Sequence, residues 1–129
     1  MVKRAALTVL VNNIYDHWKN HGFLRRESRW ELVPSFDSNL SPTRSAVVSR
    51  ALTPNDDPRN RDIRNFIDSR DAYALTAAEM ATALWEVLVA VRSWPEVARG
   101  IGILDGEIRL MSGAFSEQQQ QFCEAALGG

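Results

Sequence analysis

"NNIYDHWKNHGFLRRESRWELV" (Asn12–Val33) decides how the chain is read, because a helix-like pattern ends in it and a strand-like pattern begins. Upstream, Val2, Ala5, Ala6, Val9, Leu10 and Asn13 recur at helical spacing, and Leu7, Val11 and Ile14 make the segment apolar on nearly every side. That combination predicts a buried helix. Past Gly22, "FLRR" and "WELV" are short, rich in strand-favouring residues and separated by "ESR", which predicts a hairpin ending at Pro34. No Asn-Gly or Asp-Gly turn marks its tip, so the hairpin rests on the two runs alone. Between helix and hairpin, acidic, basic and amide side chains, two histidines and an aromatic pair crowd into one short run.

Beyond Pro34 the pattern changes. Residues 34–61 hold four of the five prolines together with Ser, Asn and Asp, so this stretch is expected to be mostly loop, with "SAVVSRAL" (Ser45–Leu52) a short strand. A loop of that length in a small domain is usually functional or packed on something else. Helices follow. "RDIRNFIDSR" predicts the first, and Thr76 with Glu79 forms a capping box opening a second, whose Met80, Leu84, Val87, Leu88 and Val91 make an apolar stripe down to Trp94. Ser93 with Glu96 signals a further start near Pro95, stopped by Gly100 and Gly102. Asp105 begins the next segment, and Ser116 with Gln119 opens "EQQQQFCEAAL", whose glutamine run is expected on a solvated face. There is no internal repeat.

The composition allows one folding unit. A chain of 129 residues can bury a core but is short for two ordinary domains, and 45% apolar with 24% charged residues sets disordered and fibrous classes aside. Fifteen basic residues against sixteen acidic ones leave a net charge of -1 and a pI near 6.1, no field for gripping a phosphate backbone, so direct nucleic-acid binding is not expected. The single cysteine, Cys123, cannot form an internal disulfide, and no base or metal partner is evident near it. The start "MVKRAALTVLVNNIYDHW" has the basic beginning and apolar middle of a signal peptide, but it lacks a small-residue cleavage pattern. No apolar stretch approaches the ~18 residues of a membrane span. A cytoplasmic protein is expected.

One layout of the reactive residues can be tested against known chemistry. In protein kinases the catalytic loop reads H-R-D-x-x-x-x-N, and a second acidic residue beyond a short hairpin holds magnesium. On that layout Asn20 is the metal-binding amide, "GFLRRESRWELV" the hairpin, and Asp37 in "PSFDSN" the metal-binding carboxylate. Mg²⁺ takes hard oxygen ligands and keeps several waters, so one carboxylate and one amide suffice beside a nucleotide's phosphates.

"VLVNNIYDHWKNHGFLRRESRWELVPSFDSNLSP" (Val9–Pro42) resembles the catalytic segment of the HipA-family toxin kinases, in which a helix ends in an N-T-D-x-H-x-K-N type motif, followed by a hairpin and a P-x-Y-D motif. His17, Lys19 and Asn20 match the first motif; Pro34, Phe36 and Asp37 match the second, with Phe for Tyr. The likeness continues through "AYALTAAEMATALWEVLVAVRSWPEVARGIGI" and "EIRLMSGAF", and so covers about Ala5 to Phe115. It implies a mainly α fold: a helical, kinase C-lobe-like bundle with one small β-hairpin. It also implies a single domain over residues 1–129, divided into a catalytic-loop segment 5–40, a loop 41–61 and a helical tail 62–127. In intact relatives it implies phosphoryl transfer from Mg-ATP to a protein serine or threonine, glutamyl-tRNA synthetase being the known kind of target. A HipB-type antitoxin is the implied partner. Asn20 and Asp37 would then hold Mg²⁺, with His17 and Lys19 shaping the loop.

Two departures from the family pattern matter. Five residues before Asn20, where the family places its aspartate base, stands Tyr15, whose side chain has a reference pKa of about 10 and stays protonated at neutral pH. Asp16, next to it, is the candidate substitute base, although neighbouring side chains point in different directions. Further, no Gly-rich phosphate loop and no V-A-I-K-like lysine precede the segment, and "GIGILDG" (Gly100–Gly106) lacks the strand a nucleotide loop requires. The part that would hold most of the ATP is expected to be missing from this chain.

Plainer readings stand beside these. Asp37 is also a natural turn cap in "SFDSNLSP", and Asn20 a natural terminator before Gly22. His17 and His21, four apart, have the spacing of a zinc clamp with Asp37 as third ligand, but Gly22 disfavours a helix at His21 and no fourth ligand is visible. His17 is expected instead to bury its ring against backbone carbonyls. Trp18, Trp30, Trp85 and Trp94 are expected mostly in core and rim packing. Phe66, Trp85 and Val89 are candidates for a surface facing a missing lobe, left exposed or covered by a homodimer. Two functional expectations follow: a toxin–antitoxin kinase domain that works only when a separate N-terminal-lobe chain supplies the nucleotide site, or a non-catalytic, pseudokinase-like module that binds a protein partner.

Overall fold

The computed structural model describes residues 1–13, 21–34, 51–57 and 60–128. Helix α1 (Val2–Leu10) turns Ala5, Ala6, Val9 and Leu10 into the core, as the spacing predicts. It stops earlier than the apolar run. Asn12 takes φ +53° and the Asn13 N–H donates to the Thr8 carbonyl (3.0 Å), the Schellman closure that a left-handed residue after a helix produces. Asn13 is therefore buried as part of the cap and not as another helical turn.

The hairpin forms from the two predicted runs. Strand β1 (Phe23–Arg26) pairs antiparallel with β2 (Arg29–Leu32), in register Phe23↔Leu32 to Arg26↔Arg29. Its connection is Glu27–Ser28, shorter than "ESR", because Arg29 is already paired with Arg26. Glu27 supplies the positive φ (+54°) that a two-residue turn needs and that Asn or Gly would adopt more easily. Residues 45–50 of "SAVVSRAL" lie outside the described residues; its last two, Ala51 and Leu52, are not in a strand. Leu52 and Thr53 are buried in irregular chain, held by the Asp56 carboxylate, which accepts the Leu52 N–H (2.9 Å) and lies 3.6 Å from Arg61.

Helix α2 (Asn65–Asp68) is shorter than "RDIRNFIDSR" and passes through Ser69 into a 3-10 turn, Arg70–Tyr73, that ends on Ala74 at φ +54°. Phe66 points inward against Tyr73, ring centroids 5.8 Å apart, so it is core and not a surface facing a missing lobe. Helix α3 (Ala77–Arg92) is the central element. Its capping box forms in both directions: the Glu79 N–H donates to Thr76 Oγ1 (3.2 Å) and the Thr76 N–H to the Glu79 carboxylate (2.8 Å). Met80, Leu84, Val87, Leu88 and Val91 are buried, with α1, α2 and α6 packed along the helix.

Helix α4 (Trp94–Gly100) follows at once, with Pro95 in its first turn, where the missing N–H is harmless. The Ser93–Glu96 box does not form: Ser93 is itself helical and its hydroxyl donates back to the Ala90 carbonyl (2.8 Å). Helix α5 (Asp105–Met111) starts where Glu107 accepts the Leu104 N–H (3.2 Å), and a 3-10 turn, Ser112–Ala114, leads to α6 (Glu117–Gly128). Ser116 caps α6 by accepting the Gln119 N–H (3.3 Å), and its own N–H donates to the Leu10 carbonyl at the end of α1 (3.0 Å). The glutamines are not all solvated. Gln119 and Gln120 are buried, and Gln119 Oε1 accepts the Ile63 N–H (2.8 Å) inside the core. Outside it, Arg92 grips both Glu124 oxygens (2.6 and 3.1 Å) and Arg64 lies 3.9 Å above the Phe122 ring.

Truncating the centre of this packing, Leu88→Ala, is expected to lower unfolding free energy by about 2–5 kcal/mol in denaturant melts. The neighbouring exposed position, Val89→Ala, should change it by only about 0.5 kcal/mol or less. A pH dependence also follows. Glu79 is held below its ordinary 4.5 by the Thr76 N–H and hydroxyl, Glu124 by Arg92, and Asp62 below 3.8 by Arg64. Folded values below the unfolded ones mean that these carboxylates stabilise the fold when ionised, fully above the unfolded pKa and progressively less as pH falls through the folded one. Tm is expected to drop below about pH 4.5, and the pair Glu79→Gln with Glu124→Gln should flatten part of that drop in melts across pH.

Candidate functional site

The hairpin's feet and the first turn of α1 meet at one joint. Below the Phe23↔Leu32 pair, the Val33 N–H donates to the Gly22 carbonyl (2.9 Å), extending the ladder by one rung. A Cβ on Gly22 would come within 3.2 Å of Val33 Cγ2, so glycine lets the two feet close. From α1, Arg4 donates Nη2 to the Val33 carbonyl, fastening helix to hairpin. In the sequence, residues 14–20 precede the hairpin's first foot and residues 35–50 follow its second.

Polar capacity remains at both ends of α1. Arg4 Nη1, at the joint, and Asn13 Oδ1, past the helix's other end, are buried with no hydrogen-bond partner among the described residues. A buried donor or acceptor left without a partner is destabilising by about 1–3 kcal/mol. His21, half-buried, sits beside Gly22 at the same foot.

The candidate residues Asp16, His17, Lys19, Asn20 and Asp37 lie outside the described residues, as do Tyr15, Trp18 and Phe36. Among the described residues no group of three or more His, Cys, Asp or Glu is placed to hold a metal ion. Cys123 is buried in the core, and burial pushes its thiol up to about 11, leaving it a neutral packing group at physiological pH. In the sequence Arg4 is only part of a basic beginning, and nothing in its own neighbourhood points to a carbonyl twenty-nine residues away. Asn13 was visible as the one polar residue on an apolar helical face.

The aromatic expectations divide. Trp94 stacks flat on Phe115, centroids 4.0 Å apart, as packing predicts. Trp30 on the hairpin is 68% exposed, and Trp85 with Val89, one turn apart on α3, are each 49% exposed on the side away from the core. No described helix is long and apolar enough to cross a membrane.

Replacing Arg4 tests the joint. Arg4→Met is expected to destabilise by about 1–3 kcal/mol, the cost of removing a charged donor from a partly buried carbonyl. Hydrogen exchange should quicken at Val33 while the amides of α3 keep their protection relative to global stability.

The joint, the hairpin and the helices that carry them lie within one comparison. The family model for the HipA-like C-terminal domain matches residues 1–94, from the start of α1 to the first residue of α4. No curated protein and no solved structure matches the chain. The matched part is nearly three-quarters of the 129 residues and includes α1, both hairpin strands and α3, the elements from which the joint and core are built. The chain therefore belongs to the family of HipA-like C-terminal domains.

Proposed function

We propose that this chain carries the magnesium-binding end of a serine/threonine phosphoryl-transfer site of the toxin–antitoxin kind, and that it is inactive by itself. The observation that carries the reading is the family match over residues 1–94, which spans both motifs and the hairpin between them. Asn20 and Asp37 would hold Mg²⁺; an amide oxygen and a carboxylate are the hard donors that ion takes, with no sulfur in the set. Bound there, the ion would neutralise charge on the phosphates of ATP. The Arg4 clamp and the Gly22–Val33 rung support the reading, because they fasten the segments before and after the hairpin to one frame.

His17 and Lys19 shape the loop between them. Tyr15 stands where a carboxylate base is needed, and a protonated phenol does not take a proton from a hydroxyl at neutral pH. Asp16 is the only adjacent carboxylate to take that role. These 129 residues contain no Gly-rich phosphate loop, so the triphosphate grip must come from a separate N-terminal-lobe chain or another segment. A HipB-type antitoxin is the regulatory partner this reading entails. The second reading is a non-catalytic interaction module, favoured by Tyr15 and by the exposed Trp85 and Val89 on α3.

Calorimetric titration with Mg-ATP separates them. Weak, magnesium-dependent heat that falls at least about tenfold in Asp37→Ala, with Tm unchanged, is the result expected for a surviving metal site. Equal heats in both proteins overturn the assignment of Asp37, and no heat in either leaves the interaction module as the function.

A further inference from the structure

We propose that the chain forms a two-fold symmetric homodimer through the face made by α4 and α5. This does not depend on the phosphoryl-transfer reading, and apart from Trp94 the face lies outside the residues matched by the family model.

On α4, Trp94, Val97 and Ala98, with Ile101 as the residue that closes the helix, follow i, i+3, i+4, i+7 spacing, the pattern of a helix face made to be covered. Only Ala98 is buried; Ile101 is 74% exposed and Val97 more than half exposed. Leu104 stands just before α5, and Ile108 and Met111 lie on it four and seven residues later. Ile108 is buried and Leu104 is 70% exposed. Between the two helices runs an open trough of about 340 Å³ whose walls include Trp94, Ile103, Ile108 and Met111.

The occupant follows from three features of this face. Projecting apolar side chains (Ile101, Leu104) flank Ile103, which lines an apolar hollow, and an isologous interface requires both of each copy. The charges around them are of both signs: Glu96, Asp105 and Glu107 against Arg99 and Arg109, with Arg99 and Asp105 paired at 2.9 Å. A single-sign rim would repel its own copy, whereas this one can meet itself with opposite charges. Val97, Ile101, Ile103 and Leu104 present on the order of 400 Å², the size of a monomer's largest and often functional patch. With their polar rim they approach the ~800 Å² per partner of a standard interface.

Sedimentation equilibrium of the whole chain tests this. At about 100 μM the mass is expected to be twice the 14.5 kDa of one chain. Ile101→Asp and Leu104→Asp, both at exposed positions, should leave the circular dichroism unchanged and weaken association at least about 30-fold each. Val89→Asp on α3 should leave it unaltered. A wild-type monomer at about 100 μM overturns the proposal. So does a dimer that survives both α4–α5 variants yet dissociates in Val89→Asp, which would move the interface to α3. A monomer whose binding of an apolar dye is lost in Ile101→Asp would assign the face to a different protein, and the second copy would again be wrong.

Discussion

The buried stripe of α3 is the constraint on which the rest depends. Met80, Leu84, Val87, Leu88 and Val91 supply one continuous apolar ridge, and α1, α2 and α6 each find their place by covering part of it. None of the three has much reason to be helical alone. Helix α2 is a single turn, and α1 and α6 are of a length that is marginal in water without packing. The ridge is legible because its start is fixed by the Thr76–Glu79 box, whose two hydrogen bonds set where the 3.6-residue period begins.

The joint between α1 and the hairpin adds a second kind of restraint, polar and directional. A two-stranded hairpin exposed on both faces is a weak structure, and here one backbone rung and one guanidinium secure its base. The HipA-like part of the chain thus has two layers of order: an apolar bundle that gives stability, and a hydrogen-bonded joint that fastens the hairpin to α1.

What the sequence revealed and what it hid divide along physical lines. Periodicity disclosed α1, α3 and the hairpin, since burial on one side dictates residue type directly. Capping rules worked at Thr76 and half-worked at Ser116, but failed at Ser93, where the hydroxyl found a nearer carbonyl in the preceding helix. Asn12 could have been read as a left-handed stop, and the double asparagine was the signal. Gln119 and Arg4 could not have been placed, because each is defined by a main-chain partner far along the chain. Of the candidate site, the motif residues are named from the sequence alone and lie outside the described residues, while the Arg4–Val33 joint was not legible.

The attachment of α6 bears on how the molecule is made. Its first residues hold the Leu10 carbonyl and, through Gln119, the Ile63 amide, so the far end of the chain closes a core begun at the near end. A ribosome delivers α1 well before the segment that shields it. The apolar flank of α1 must wait, exposed, until α6 has been made. A chain that stalls before α6 is left with its core open.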